Sequence, residues 1–132
     1  MRGDDPGAYI LHRGESAYVV MNLYPYNPGH VMVVPFAHVQ DLDSLDDQLA
    51  VEMVRLAQKT ERILSGALRP HGFNVGINIG RAGGAGIADH LHMHVVPRWT
   101  ADTNFLTSLA DARVIPQGLD ETYELLATGF AR

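Results

Sequence analysis

His90, His92 and His94 stand at alternate positions, separated by Leu91 and Met93 and followed by Val95-Val96-Pro97. The chain holds seven histidines, and three of them fall in this one short stretch. In an extended segment, side chains at i, i+2 and i+4 project from one face and their neighbours from the other. The apolar set can therefore pack while the imidazoles are presented together. Neutral imidazole serves as metal ligand, general base or nucleophile near neutral pH. A single zinc cannot readily take all three, because His90 and His94 are roughly 13 Å apart at strand rise whereas Zn–N bonds are about 2 Å. A zinc site would need two of them plus ligands such as His30, His38 or Asp89. A merely structural strand would leave up to six ring nitrogens in need of partners, each costing about 1–3 kcal/mol if buried unpaired. Nucleophilic or acid–base chemistry is the reading that remains.

A second stretch, Asn27-Pro28-Gly29-His30-Val31-Met32-Val33-Val34-Pro35 with His38-Val39 beyond it, supplies another histidine at the head of an apolar run. Between the two lies Gly80-Arg81-Ala82-Gly83-Gly84-Ala85-Gly86, four glycines in seven residues. It has no Walker lysine and no dinucleotide fingerprint. Glycine lets backbone N–H groups approach phosphate oxygens closely, so this loop, with Gly84, Ala85 and Gly86 next to the histidines, is a candidate phosphate contact. Arg81 and Arg98 are the cations nearest these motifs in sequence, and Trp99, the only tryptophan, is a flat surface suited to stacking on a base.

The elements that must position these groups can be read from periodicity. Tyr9–His12 and Ala17–Met21 are short β-type runs joined by Arg13-Gly14-Glu15-Ser16 as a turn. Val31–Val34 is a buried strand closed by Pro35, and Phe73–Ile79 and His92–Val96 supply two more. Ser44–Leu68 is the one long helix, with Leu45, Leu49, Met53, Leu56, Ala57, Leu64 and Leu68 on one stripe. Asp43 or Ser44 is expected to cap its start and Arg69-Pro70 to end it. The expected fold is α+β, an antiparallel sheet of about five strands with the long helix packed across it, as a single domain over residues 1–132.

Composition narrows the partners. A formal charge of −5 with one lysine, Lys59, argues against a nucleic-acid backbone, which needs clustered cations. The absence of cysteine excludes a disulfide framework and a cysteine zinc knuckle. No apolar run reaches the ~18 residues of a membrane span and the N-terminal residues lack a signal-peptide core, so the expectation is a cytoplasmic protein with no membrane partner.

His90 to Val96 resembles the signature of the histidine-triad family of nucleotide hydrolases and transferases. The Asn27–Pro35 block resembles that family's first block. The extension Pro97-Arg98-Trp99-Thr100-Ala101-Asp102-Thr103-Asn104-Phe105 resembles its bacterial diadenosine polyphosphate branch, mycobacterial-type diadenosine tetraphosphate phosphorylases included. The resemblance implies a histidine-triad fold and nucleotidyl transfer from a dinucleoside polyphosphate. In it His92 is the nucleophile, His94 and His30 help hold the phosphate, and His90 belongs to the supporting hydrogen-bond network. It further implies Asn22 at the ribose and Asn78 near the phosphate or leaving group. The loop here lacks the hydroxyl many relatives offer, and the chain either begins too late to include the Cys-x-x-Cys pair of many bacterial relatives or has lost it. No metal bound by the protein is expected, although magnesium could accompany the nucleotide, and a homodimer or higher homo-oligomer joined at sheet edges is implied. A phosphorylase giving ADP and ATP leads; a hydrolase giving AMP and ATP, a nucleoside phosphoramidate hydrolase and a non-catalytic nucleotide-binding module are the alternatives.

Overall fold

The computed structural model describes residues 5–23, 28–85, 90–100 and 118–132. Its centre is a five-stranded antiparallel sheet in the order β1-β2-β3-β5-β4, as the alternation of apolar and polar positions requires. The strands are β1 (Ile10–Arg13), β2 (Ala17–Met21), β3 (Val31–Pro35), β4 (Gly72–Ile77) and β5 (Met93–Arg98). A four-residue turn of helix, α1 (Asp5–Ala8), precedes them. The long helix α2 spans Asp47–Leu68 and a second helix, α3, spans Leu119–Phe130.

One face of the sheet is the core. Ala17, Val19 and Met21 of β2, Val31 and Val33 of β3 and Val95 of β5 are buried there against Leu49, Met53, Leu56 and Leu64 of α2, the stripe that the 3.6-residue period predicts. Thr60, buried on the same stripe, satisfies its hydroxyl by donating to the Leu56 carbonyl. The hairpin between β1 and β2 is clamped from α2. Glu52 accepts the N–H groups of Ser16 at 3.0 Å and Ala17 at 3.2 Å. Gly14 leaves room for the clamp, since a side chain there would meet the Glu52 carboxylate at 2.2 Å and displace it.

Several boundaries differ from the sequence expectation. Asp41 accepts the Ser44 N–H and holds Leu42–Ser44 as a 3-10 turn, so α2 begins afresh at Asp47 with Asp46 accepting the Leu49 N–H. Neither Asp43 nor Ser44 caps it. Its end is as expected, with Arg69 left-handed at φ 53°. β4 stops at Ile77, and β5 runs from Met93 through Pro97 to Arg98. Proline is tolerated there because β3 pairs only with Met93–Val95, leaving Pro97 opposite Phe73 of β4 alone. Tyr9 lies outside β1 at φ 61°. α2 is not the sole long helix: α3 buries Tyr123, Leu126 and Phe130, Tyr123 donating its hydroxyl to the Ile10 carbonyl and Tyr9 donating its own to Asp120.

The opposite face carries His94. This residue of β5 is directly opposite Met32 of β3 and Gly76 of β4, and antiparallel partners share a face. Tyr18 and Val20, Met32 and Val34, His94, Val96 and Arg98, and Gly72, Asn74 and Gly76 therefore line one surface, away from α2.

Candidate active site

His30, His92 and His94 form one cluster of imidazoles. The ring centroids of His30 and His94 are 5.0 Å apart and those of His92 and His94 4.6 Å. Each ring is placed by backbone. His30 follows Gly29, whose φ of 81° lets the chain turn into β3 against Leu68 and Pro97. Asn22, one position beyond β2, donates its N–H to the His30 carbonyl at 2.8 Å, which extends the β2–β3 ladder to the site. Leu91 is buried and donates its N–H to the Val39 carbonyl at 2.8 Å, anchoring the residue between His90 and His92.

The hydrogen bonds settle which nitrogens are free. His92 Nδ1 lies 2.8 Å from the His90 carbonyl oxygen. A carbonyl only accepts, so Nδ1 carries the hydrogen and the Nε2 of neutral His92 is a bare lone pair. His30 Nε2 and His94 Nδ1 are 2.8 Å apart, and both rings are held neutral. Burial, then the neighbouring His94 and His92, pushes His30 down to about 4; burial, then His92, lowers His94. Were His94 the donor, His30 would carry its hydrogen on Nδ1, which is buried and unpartnered among the described residues. With His30 donating, only an unused lone pair is left there, the less costly state. That assignment leaves His94 with its hydrogen on Nε2. The cluster thus offers one nucleophilic nitrogen and, on the adjacent ring, one N–H donor.

His90 is directed elsewhere. Its Nε2–H donates to the Pro35 carbonyl at 2.8 Å and its ring stands edge-on to His38 at 5.2 Å. It acts on His92 through its backbone carbonyl, not its ring. From the sequence, His38 stands only as a possible zinc ligand, and neither it nor Pro35 is marked as a partner of the His90 ring. Pro35 was legible only as the end of a strand, and nothing in the sequence marks its carbonyl as an anchor.

The remaining candidates are distributed around this cluster. Asn78 is exposed just past β4 and its amide nitrogen is 3.5 Å from where a side chain on Gly84 would begin. The loop folds on itself: Gly83 and Ala85 donate their N–H groups to the Gly80 carbonyl and Gly84 donates to Arg81. Gly80 and Gly84, at φ 74° and 98°, make that turn possible, but the amides of Gly84 and Ala85 are already engaged within it. Gly86 and Asp89 lie outside the described residues. Arg98 donates to the Asn74 side chain across the β4–β5 pair. Trp99 is half-buried beyond it, where Thr100 donates its N–H to His71 Nδ1 at 2.8 Å.

Among the described residues no group of three His, Cys, Asp or Glu side chains is placed to hold a metal ion. His30 and His94 use facing nitrogens on each other, and His92 uses Nδ1 on a carbonyl. Nor is any helix among the described residues long and apolar enough to cross a membrane.

Comparison with known proteins identifies the family. The HIT domain model matches residues 5–101. A protein of Mycobacterium tuberculosis named AP-4-A phosphorylase is 49% identical over 128 residues, covering 97% of this chain and 66% of that protein. A Schizosaccharomyces pombe protein named bis(5'-nucleosyl)-tetraphosphatase (asymmetrical) is 28% identical over 96 residues, 73% of this chain and 52% of its own length. The chain thus spans somewhat under two thirds of the first of these relatives and about half of the second. Among solved structures, a zinc-bound histidine triad family protein of Mycobacterium smegmatis superposes with a TM-score of 0.73 at 25% identity, covering 94% of this chain and 84% of that one. With the triad intact, the first-block histidine hydrogen-bonded to it, the domain model matched over most of the chain and the overall fold shared with such a structure, the chain belongs to the HIT domain family.

Proposed function

We propose that the protein is a nucleotidyltransferase acting on dinucleoside polyphosphates, with diadenosine tetraphosphate the leading substrate and inorganic phosphate the acceptor. The observation that carries this is the hydrogen bond from His92 Nδ1 to the His90 carbonyl, which fixes a lone pair on Nε2 next to the His94 donor. In the first step Nε2 attacks the α-phosphorus, the N–P bond forms and the bond to the bridging oxygen breaks, releasing the polyphosphate half. The Nε2–H of His94, oriented by His30, stabilises charge on the phosphoryl oxygens. In the second step the acceptor breaks the N–P bond and frees His92.

Asn22, tied to His30 through its backbone, contacts the ribose of the transferred nucleotide; Asn78 and the turn that includes Gly84 and Ala85 border the phosphates, with Gly86, next in sequence, assigned to the same role; Arg98 contributes charge and Trp99 a stacking surface. No protein-bound metal takes part, and magnesium enters with the nucleotide. A cytoplasmic setting goes with this reading. So does a homodimer, since β4 is an edge strand among the described residues, with Val75 on it and Ile79 just past it exposed at 53% and 40%, and a second copy would cover them.

Phosphate is preferred as acceptor because the 49% identical relative is named a phosphorylase; the name of the Schizosaccharomyces pombe relative supports water as the second reading. The test is to incubate diadenosine tetraphosphate with and without inorganic phosphate and separate the nucleotides. ADP with ATP, accelerated by phosphate, is expected. AMP with ATP, indifferent to phosphate, would make the protein a hydrolase, and binding without cleavage would make it a binding module.

A further inference from the structure

The order of the strands assigns a direction to the substrate. On the open face, Asn22 at the end of β2 and His30 at the head of β3 lie to one side of His94, and β4 lies to the other. If the transferred nucleoside sits over Asn22, as proposed above, the departing half extends over β4. There, among the described residues, the sheet offers a lane open beside His94 and beside Arg98, with the Asn74 side chain between. Gly76 stands directly opposite His94, and Gly72 opposite Arg98. A side chain at either glycine would meet nothing within 4 Å among the described residues, and neither has the positive φ that would demand glycine. Glycine inside a strand costs about 0.5–1 kcal/mol and often marks close approach by a ligand. No packing among the described residues requires Gly76, so the open space beside His94 is the property it supplies.

At the far end of the lane is a cation in a fixed position. Arg98 shares the face of His94 and donates to the Asn74 side-chain oxygen across the strand pair, while Asn74 shares that face through its pairing with Val96. His94 and Arg98 are four residues apart on one strand, roughly 13 Å along it at strand rise. We propose that this lane is the subsite for the departing half of the dinucleoside polyphosphate. Gly76 admits the phosphate chain beside His94, and Arg98, aligned by Asn74, binds its distal phosphates and so favours longer chains. Asn74 is a positioning residue that acts through Arg98. The proposal rests on the dinucleoside polyphosphate reading given above.

The test compares kcat/KM for diadenosine tetraphosphate with that for diadenosine triphosphate, with thermal unfolding measured on every variant. The unaltered protein should prefer the tetraphosphate. Asn74→Ala should lower the tetraphosphate-to-triphosphate ratio about fivefold, mainly through KM for the tetraphosphate, the scale expected for misaligning one charge-assisted contact. Added to Arg98→Ala, it should lower the ratio no further, because the two act as one unit. Gly76→Val should raise KM for both substrates without lowering the unfolding temperature. A ratio unchanged by Asn74→Ala, an additive double variant or unchanged KM values in a folded Gly76→Val protein would each overturn the subsite while leaving the activity standing. Failure of the unaltered protein to cleave either dinucleotide would overturn both.

Discussion

His90 holds His92 through its carbonyl at 2.8 Å while its own ring is turned away to the carbonyl of Pro35. Two adjacent members of the triad therefore differ in kind, one offering a reactive nitrogen and the other a scaffold. His92→Ala should reduce turnover at least ~1,000-fold while leaving nucleotide affinity within a few-fold, because the lost bond forms only in the reaction. Single-turnover kinetics alongside equilibrium nucleotide binding checks this, and rapid turnover by the variant would remove His92 as nucleophile.

The ring of His90 is expected to matter less. His90→Asn keeps the carbonyl that accepts from His92 and loses only the anchor on Pro35, so kcat should fall by about tenfold, the scale of one net hydrogen bond. A loss as large as that of His92→Ala would show that the ring itself takes part in the chemistry.

His30 gives the fold an acid limit. Its pKa is lowered from 6.5 to about 4 by burial and by His94 and His92, so the folded state binds fewer protons than the unfolded one. That contribution to stability is fully present above pH 6.5 and is lost as pH falls from 6.5 towards 4. Across this window the melting temperature of the unaltered protein should fall further than that of His30→Asn, by about 5 °C. Parallel curves for the two proteins would refute the linkage.

Gly29 joins the helix to the site. Its φ is 81°, and a side chain there would come within 2.5 Å of Leu68 and 3.2 Å of Pro97. Gly29→Ala should destabilise the protein by about 1–3 kcal/mol in urea unfolding and should also lower kcat/KM, because His30 is the next residue. A stable, fully active variant would show that the turn can move without disturbing the histidine cluster.

The hairpin clamp is independent of the site. Glu52→Ala leaves the N–H groups of Ser16 and Ala17 without their carboxylate acceptor and should cost about 1.5–3 kcal/mol. Urea midpoints measure it, and activity at a temperature well below melting should be little changed.

What the sequence disclosed follows from how far each signal reaches. β2 and β3 were legible because β-branched residues and strict alternation are local, and α2 because its stripe repeats over many turns. α3 was missed although Leu119, Tyr123, Leu126 and Phe130 recur at helical spacing; the Thr and Gly residues among them and the brevity of the helix weakened the signal, and its support comes from α2 and from Tyr9 and Ile10, the last two more than a hundred residues earlier. The start of α2 was misplaced because several adjacent Asp and Ser residues are equally good caps, and only the 3-10 turn held by Asp41 chooses among them. The histidines were visible from spacing and resemblance, but their tautomers were not, since these depend on carbonyls that only the folded backbone brings near.

The bond between His30 and His94 joins residues 64 positions apart, with the whole of α2 and β4 between them. Closing so long a loop carries an entropy cost that neighbouring elements do not meet, whereas the β1–β2–β3 meander and α2 can form from nearby residues. The histidine cluster should therefore assemble late in the folding of the chain. On dilution from denaturant, helical signal should return ahead of nucleotide cleavage, with cleavage returning only as the β3–β5 seam shuts.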